Sequence, residues 1–173
     1  MLEINKIYNC DWVDGMKQMD DESVHLIFTS PCYNTWEYSC YIEYLHFMES
    51  MLSECHRVLQ EGRFLVLNAS SATGLKRGKG NMSKRYGVPF DLHAILMKEE
   101  DKWDFVDDIV WINSEGRVKN RNGAFYRNRE PLTYKPNVVT EYIMVYRKHT
   151  KKLINWNIKK YRKEIMTYIQ KVW

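Results

Sequence analysis

Ser30, Pro31 and Tyr33 bring a hydroxyl, a proline-stiffened backbone carbonyl and an aromatic ring together within four residues, directly after the apolar run Val24-His-Leu-Ile-Phe-Thr29. The β-branched and aromatic content of that run reads as a short buried strand, and Pro31 forbids its continuation in a central position. Ligands of open α/β sheets bind outside the carboxyl ends of the strands. The turn therefore offers hydrogen-bonding groups and a stacking surface where a ligand would sit. The plain alternative is a Ser-Pro turn that ends a strand and has no further role.

Two basic stretches have the composition for a polyanionic partner. Lys76, Arg77, Lys79, Lys84 and Arg85 fall in a run without acidic residues, which suits neutralisation of phosphates without reading of sequence. Farther on, Arg117, Lys119, Arg121, Arg127 and Arg129 alternate with Asn120, Asn122, Asn128, Phe125 and Tyr126. Arginine and asparagine engage guanine and adenine edges, so residues 113–136 form a candidate target-recognition segment. Solvated surface loops are the alternative for both. The overall balance, 26 Lys and Arg against 22 Asp and Glu for a net charge of +4, does not by itself identify a nucleic-acid binder. The histidines, at 25, 46, 56, 93 and 149, lack metal-ligand spacing, and no metal is expected. Cys10, Cys32, Cys40 and Cys55 show no C-x-x-C pairing and no secretory signal is present, which reads as reduced thiols in a cytoplasmic protein. Apolar runs fall short of the roughly twenty residues needed to span a bilayer.

The elements that would position these groups alternate. Glu3 to Asn9 reads as a first strand and Asp14 to Met19 as a short helical turn, a β-α-β opening into the run at Val24. Ile42, Leu45, Met48, Leu52, Cys55 and Leu59 recur at helical spacing, with Gly62 placed as a left-handed cap. Phe64 to Asn68 is continuously apolar, which implies cover on both sheet faces. Pro89 to Glu100 reads as a second helix, Phe105 to Ile112 and Val138 to Tyr146 as further strands, and the Lys-rich end after Arg147 as marginally ordered. This order, with 45% hydrophobic residues, predicts one domain over residues 1–173, α/β and three-layer, with a mostly parallel sheet.

In sequence order these motifs resemble the beta group of DNA amino-methyltransferases, which modify cytosine N4 or adenine N6. Thr29-Ser30-Pro31-Cys32-Tyr33 is similar to the group's (Ser/Asp/Asn)-Pro-Pro-(Tyr/Phe) motif, with Cys32 in place of the second proline. The flanks match as well: Asn9-Cys10-Asp11, Arg57-Val58-Leu59, Gly62-Arg63-Phe64-Leu65-Val66-Leu67-Asn68, Asp108-Ile109-Val110-Trp111 and Glu141-Tyr142-Ile143-Met144-Val145-Tyr146-Arg147-Lys148.

The resemblance implies a Rossmann-like fold, S-adenosylmethionine as methyl donor, double-stranded DNA as substrate and a role in restriction-modification. It implies catalytic roles for Ser30, Pro31 and Tyr33 and a cofactor-side position for Asp11, with Cys10 as its neighbour. Asp11 reads equally well as the cap of a turn at Trp12 to Met16. An exocyclic amino nitrogen is a poor nucleophile because its lone pair is delocalised into the ring. Acceptors around the NH2 group favour the pyramidal transition state, and Tyr33 would stack on a base rotated out of the duplex. Ser before Pro31 leans toward cytosine N4, with adenine N6 next. A thiolate of Cys32 attacking a cytosine ring carbon is a rival chemistry, and RNA or a free nucleotide a rival substrate.

One departure stands out. The group's glycine-rich cofactor loop follows its recognition region, whereas no glycine follows Gly123 here, so the fold is expected to be incomplete at the C-terminus. A second chain supplying that loop, or a homodimer, is then a candidate partner. A non-catalytic DNA-binding fragment, or one subunit of a split methyltransferase, is the alternative function.

Overall fold

The computed structural model describes residues 2–32, 40–73, 85–112 and 138–151. After helix α1 (Trp12–Lys17) come strand β1 (Val24–Thr29), helix α2 (Tyr41–Val58) and strand β2 (Leu59–Ala69). A two-stranded ribbon, β3 (Ala72–Thr73) with β4 (Arg85–Tyr86), leads into helix α3 (Val88–Leu96), strand β5 (Trp103–Ile112) and strand β6 (Thr140–Lys148).

The main sheet has the order β1-β2-β6-β5. β1 pairs parallel to β2, while β6 runs antiparallel to both of its neighbours, so β1, β2 and β5 share a direction and β6 alone is reversed. Period-two patterning carries no direction, so the reversal follows only from how β5 and β6 meet as a hairpin, from Ile112 opposite Thr140 to Trp103 opposite Lys148.

The helices build the core on one face. On α2, Tyr44, Met48, Met51, Leu52 and Cys55 are buried at three-to-four spacing, and they pack with Val88, Leu92 and Leu96 of α3 against Leu65, Leu67 and Ala69 of β2 and Met144 and Tyr146 of β6. Ile42, expected on that stripe, is 63% exposed, and Tyr44 takes its place. The alternate residues of the strands point the other way. Among the described residues this second face lacks a covering helix, and Leu26, Phe28, Ile109 and Trp111 on it are 57%, 67%, 52% and 51% exposed. The cover on both faces expected for residues 64–68 is therefore supplied on one face only by the described elements.

Two segments depart from what their composition suggests. Residues 3–9 form no strand: Ile4 and Ile7 are 89% and 101% exposed, and without a neighbour among the described residues to share its backbone hydrogen bonds an extended segment gains nothing from strand geometry. Gly62 does not cap α2. The helix ends at Val58 and β2 begins at Leu59, with Gly62 at φ 71° inside the strand. Val24 pairs with Leu59 but Leu26 with Phe64, so β2 accommodates extra residues as a bulge, and Gly62 takes the left-handed conformation this requires.

The base of the fold is tied by charge. Arg57, in the last turn of α2, donates to the carbonyls of Met16 and Met19 at 2.8 and 3.0 Å and pairs with Asp21 and Glu54. Lys148, 7% exposed, donates to the Leu59 carbonyl at 2.8 Å and to Glu22 at 3.1 Å, fastening the end of β6 to the start of β2. No helix among the described residues is long and apolar enough to cross a membrane.

Candidate functional site

β1 delivers Ser30 and Pro31 to the carboxyl end of the parallel pair. Thr29 lies beside Leu67, so Ser30 follows at the level of Asn68 on β2. Ser30 and Cys32 are exposed and Pro31 is partly exposed, as a turn that meets a ligand requires. Pro31 has no N–H to donate to a neighbouring strand, which ends β1 here. Tyr33 lies outside the described residues.

Three connections leave from this same edge. The chain departs after Cys32 and returns at Cys40 to begin α2. It departs after Thr73 and returns at Arg85, the two paired across the β3–β4 ribbon. It departs after Ile112 and returns before Thr140, which lie opposite each other at the end of the β5–β6 hairpin. The ends of both basic segments are thereby held on the rim that carries Ser30. Of the candidate DNA-contacting residues, Arg85 is described and exposed. Lys76, Arg77, Lys79 and Lys84, and with them Arg117, Arg121, Arg127 and Arg129 and the whole of 113–136, lie outside the described residues.

Behind the rim stands a group of aromatic residues that sequence reasoning missed. The Tyr41 ring, at the first position of α2, stacks on Tyr86 of β4 at 4.0 Å and lies 5.7 Å from Tyr44. Its hydroxyl donates to Asp91 in the first turn of α3 at 2.5 Å. Burial, and then the Asp91 hydrogen bond, hold this phenol protonated well above the ordinary tyrosine range. The starts of α2 and α3 and the return of the 74–84 connection are thus fixed to one another. Tyr41 closely follows the Ser-Pro turn in sequence, but nothing in the sequence marks its pairing with Asp91, fifty residues away.

A second polar group reinforces the rim from within. Asn68 and Glu141, 8% and 5% exposed, are joined by a hydrogen bond of 3.0 Å from Asn68 Nδ2 to Glu141 Oε2. Ser70, fully buried, donates to the Thr140 carbonyl at 3.1 Å. Their only signal in the sequence is a polar residue closing or opening an otherwise apolar strand.

Asp11 is the N-cap of α1: its Oδ1 accepts from the Val13 N–H at 2.9 Å, and the carboxylate is exposed. Trp12 packs edge-on against Phe47 in the N-terminal half of α2, whereas Met16 and Met19 reach Arg57 at its end. α1 therefore runs alongside α2 in the same sense, with Asp11 directed toward the Ser30 end. Cys10 packs its sulfur 3.3 Å from where a Cβ on Gly15 would stand.

The wider comparisons agree with this geometry. Over 125 residues the chain is 38% identical to the type II methyltransferase M.BglII of Bacillus subtilis, a match covering 70% of this chain and 32% of that protein. The fold is similar to TTHA0409 of Thermus thermophilus in complex with S-adenosyl-L-methionine, with a TM-score of 0.58 and 22% identity over 89% of this chain and 59% of that one. It is also similar to the cytosine-N4-specific PvuII DNA methyltransferase, with a TM-score of 0.58 and 16% identity over 81% of this chain and 48% of that one. The chain thus spans about a third of the curated relative and about half to three fifths of these solved structures. Residues 24–173, from β1 and its Ser-Pro turn onward, match the N6/N4 methyltransferase family, described as DNA methylase, and the chain belongs to that family.

Proposed function

We propose that this chain carries the catalytic motif and the target-recognition segment of an S-adenosylmethionine-dependent DNA methyltransferase of restriction-modification type, acting on an exocyclic amino group, cytosine N4 ahead of adenine N6. The observation that carries the reading is the exposed Ser30-Pro31 turn at the carboxyl end of β1, with both basic connections leaving from the same edge. The Ser30 hydroxyl and Pro31 carbonyl accept hydrogen bonds from the target NH2 and localise its lone pair, and Tyr33 stacks on the extruded base. Arg85 with Lys76, Arg77, Lys79 and Lys84 neutralises phosphates, while Arg117, Arg121, Arg127 and Arg129 read the target. Ser at position 30 supports the lean to cytosine.

The cofactor, when bound, supplies an already activated methyl group. Asp11 fits it in part: Oδ1 is engaged by Val13, and the second oxygen of an exposed carboxylate remains as an acceptor for an adenine amino group, with Cys10 alongside. These residues alone do not enclose a nucleoside. The open side of β1 supports completion by further protein. Among the described residues β1 is an edge strand of parallel type, and Leu26 and Phe28 on it are exposed, so a strand with a covering helix would extend the sheet there. A second chain supplying the cofactor loop, or a homodimer, is a candidate source.

The same open edge favours one other reading, in which the chain is a DNA-binding fragment or one subunit of a split enzyme. Uptake of labelled S-adenosylmethionine by the purified chain separates them: saturable binding without a partner supports the enzyme, and salt-sensitive DNA binding without uptake supports the fragment. Competition by structured RNA would overturn DNA as substrate. Replacing Arg127 and Arg129 by Gln should weaken DNA binding and flatten the log–log salt slope by about 0.9 for each phosphate that is no longer neutralised. An unchanged slope removes them from the interface.

A further inference from the structure

We propose that Glu141 is a positioning residue that acts through Asn68 on the Ser30-Pro31 turn, an inference that rests on the function proposed above. The two residues are 73 positions apart in sequence and meet because β6 packs antiparallel on β2. Asn68 lies opposite Ile143, and Glu141, two residues earlier on β6, projects from the same face, so the pair spans the two strands diagonally. The hydrogen bond at 3.0 Å joins two side chains that are 8% and 5% exposed.

A carboxylate buried there is costly unless it is hydrogen-bonded, and the Asn68 amide supplies a donor. The arrangement does fix one thing. With its nitrogen turned to Glu141, the Asn68 amide has a single orientation, its oxygen directed to the opposite side. On β2, Asn68 follows Leu67, the register partner of Thr29, and so lies level with Ser30. The Ser70 hydroxyl holds the carbonyl of Thr140, the residue before Glu141, so the strand that carries Glu141 is itself pinned at this edge. Ser30 thus lies level with an amide oriented by its hydrogen bond to Glu141, on a strand edge that the Ser70 hydrogen bond holds in place. A small error in acceptor placement at the reacting nitrogen is enough to reduce turnover strongly, and that is the loss the brace prevents.

The test uses the complete methyltransferase assembly and three variants: Glu141→Gln, Asn68→Asp, and the double variant carrying both. Asn68→Asp sets two carboxylates against each other, Glu141→Gln keeps an oxygen that accepts from the Asn68 amide, and the double variant restores the hydrogen bond with the roles exchanged. We expect Asn68→Asp to lower kcat about 10- to 100-fold while the KM for S-adenosylmethionine and the Kd for DNA stay within about twofold, Glu141→Gln to stay near the parent, and the double variant to recover most of the Asn68→Asp loss. A purely structural role would lower melting temperature and active fraction without that kcat-against-KM split. Recovery in the double variant supports the proposal. Asn68→Asp with wild-type kcat, or a double variant no better than Asn68→Asp, overturns it. Wild-type turnover that disappears in Ser30→Ala establishes the parent reading separately, so failure of the brace is distinguishable from failure of the function. An inactive wild-type assembly overturns both.

Discussion

Leu67 and Phe28 lie on adjacent strands near the same rim and face opposite sides of the sheet, so paired alanine substitutions test whether the core is one-sided. Leu67 is 0% exposed within the cluster formed by α2, α3, β2 and β6. Removing it leaves a cavity in a layer pinned by two helices, which costs about 3–5 kcal/mol. For a chain of this size that corresponds to a fall in melting temperature of roughly 6–20 °C. Phe28 is 67% exposed, so about a third of its side chain contributes burial. Scaling the 3–5 kcal/mol of a fully buried Phe→Ala change by that third gives about 1–1.7 kcal/mol, or roughly 2–7 °C. Urea denaturation of both variants, with unchanged slopes, measures the two values directly. Bound to a completing partner, Phe28→Ala should weaken association while Leu67→Ala should not do so selectively. A Phe28→Ala cost equal to that of Leu67→Ala in the isolated chain would refute the one-sided core and, with it, the case for a docking edge at β1.

Three further outcomes are expected. Gly62→Ala forces a side chain into the left-handed region at φ 71° and should cost about 1–2 kcal/mol by denaturant midpoint, without loss of the helical signal of α2. Lys148→Met leaves the buried Leu59 carbonyl without the donor that now stands 2.8 Å away and should cost about 1–3 kcal/mol, measured by thermal unfolding. His56, edge-on to Trp103, is held below its ordinary value of 6.5 first by burial and then by the Lys148 and Lys102 ammoniums. With the folded value depressed, the unfolded chain binds more protons just below pH 6.5, so this contribution to stability is complete above pH 6.5 and is lost as the pH falls through the folded value. Denaturant midpoints over that window should fall in the parent and stay flatter in His56→Gln.

The sequence was most legible where one local rule acts alone. The α2 stripe from Leu45 to Cys55 and the stop imposed by Pro31 needed only helical spacing and a missing N–H, and both stand in the structure. Residues 3–9 were misread because strand composition is met there without a partner strand among the described residues, and propensity for strands has no force without one. At Gly62 the need for a positive φ was visible, but whether it served a helix end or a bulge depended on the pairing of Val24 and Leu26 with β2. The Ser-Pro turn was legible because its parts are adjacent. Asn68 with Glu141 and Tyr41 with Asp91 were not, since each pair exists only after the sheet and helices have assembled.

The central claim is that the Ser30-Pro31 turn prepares an amino nitrogen to receive a methyl group. Its most direct test is transfer of labelled methyl from S-adenosylmethionine to duplex DNA by the complete assembly, followed by mass spectrometry of the digested nucleosides, for the parent chain, Ser30→Ala and Cys32→Ala. The expected product is N4-methylcytosine or N6-methyladenine, with a loss on the order of 10²-fold or more in Ser30→Ala while DNA binding is retained, and continued turnover in Cys32→Ala. Undiminished turnover in Ser30→Ala, or a ring-carbon methylcytosine whose formation requires Cys32, would contradict it.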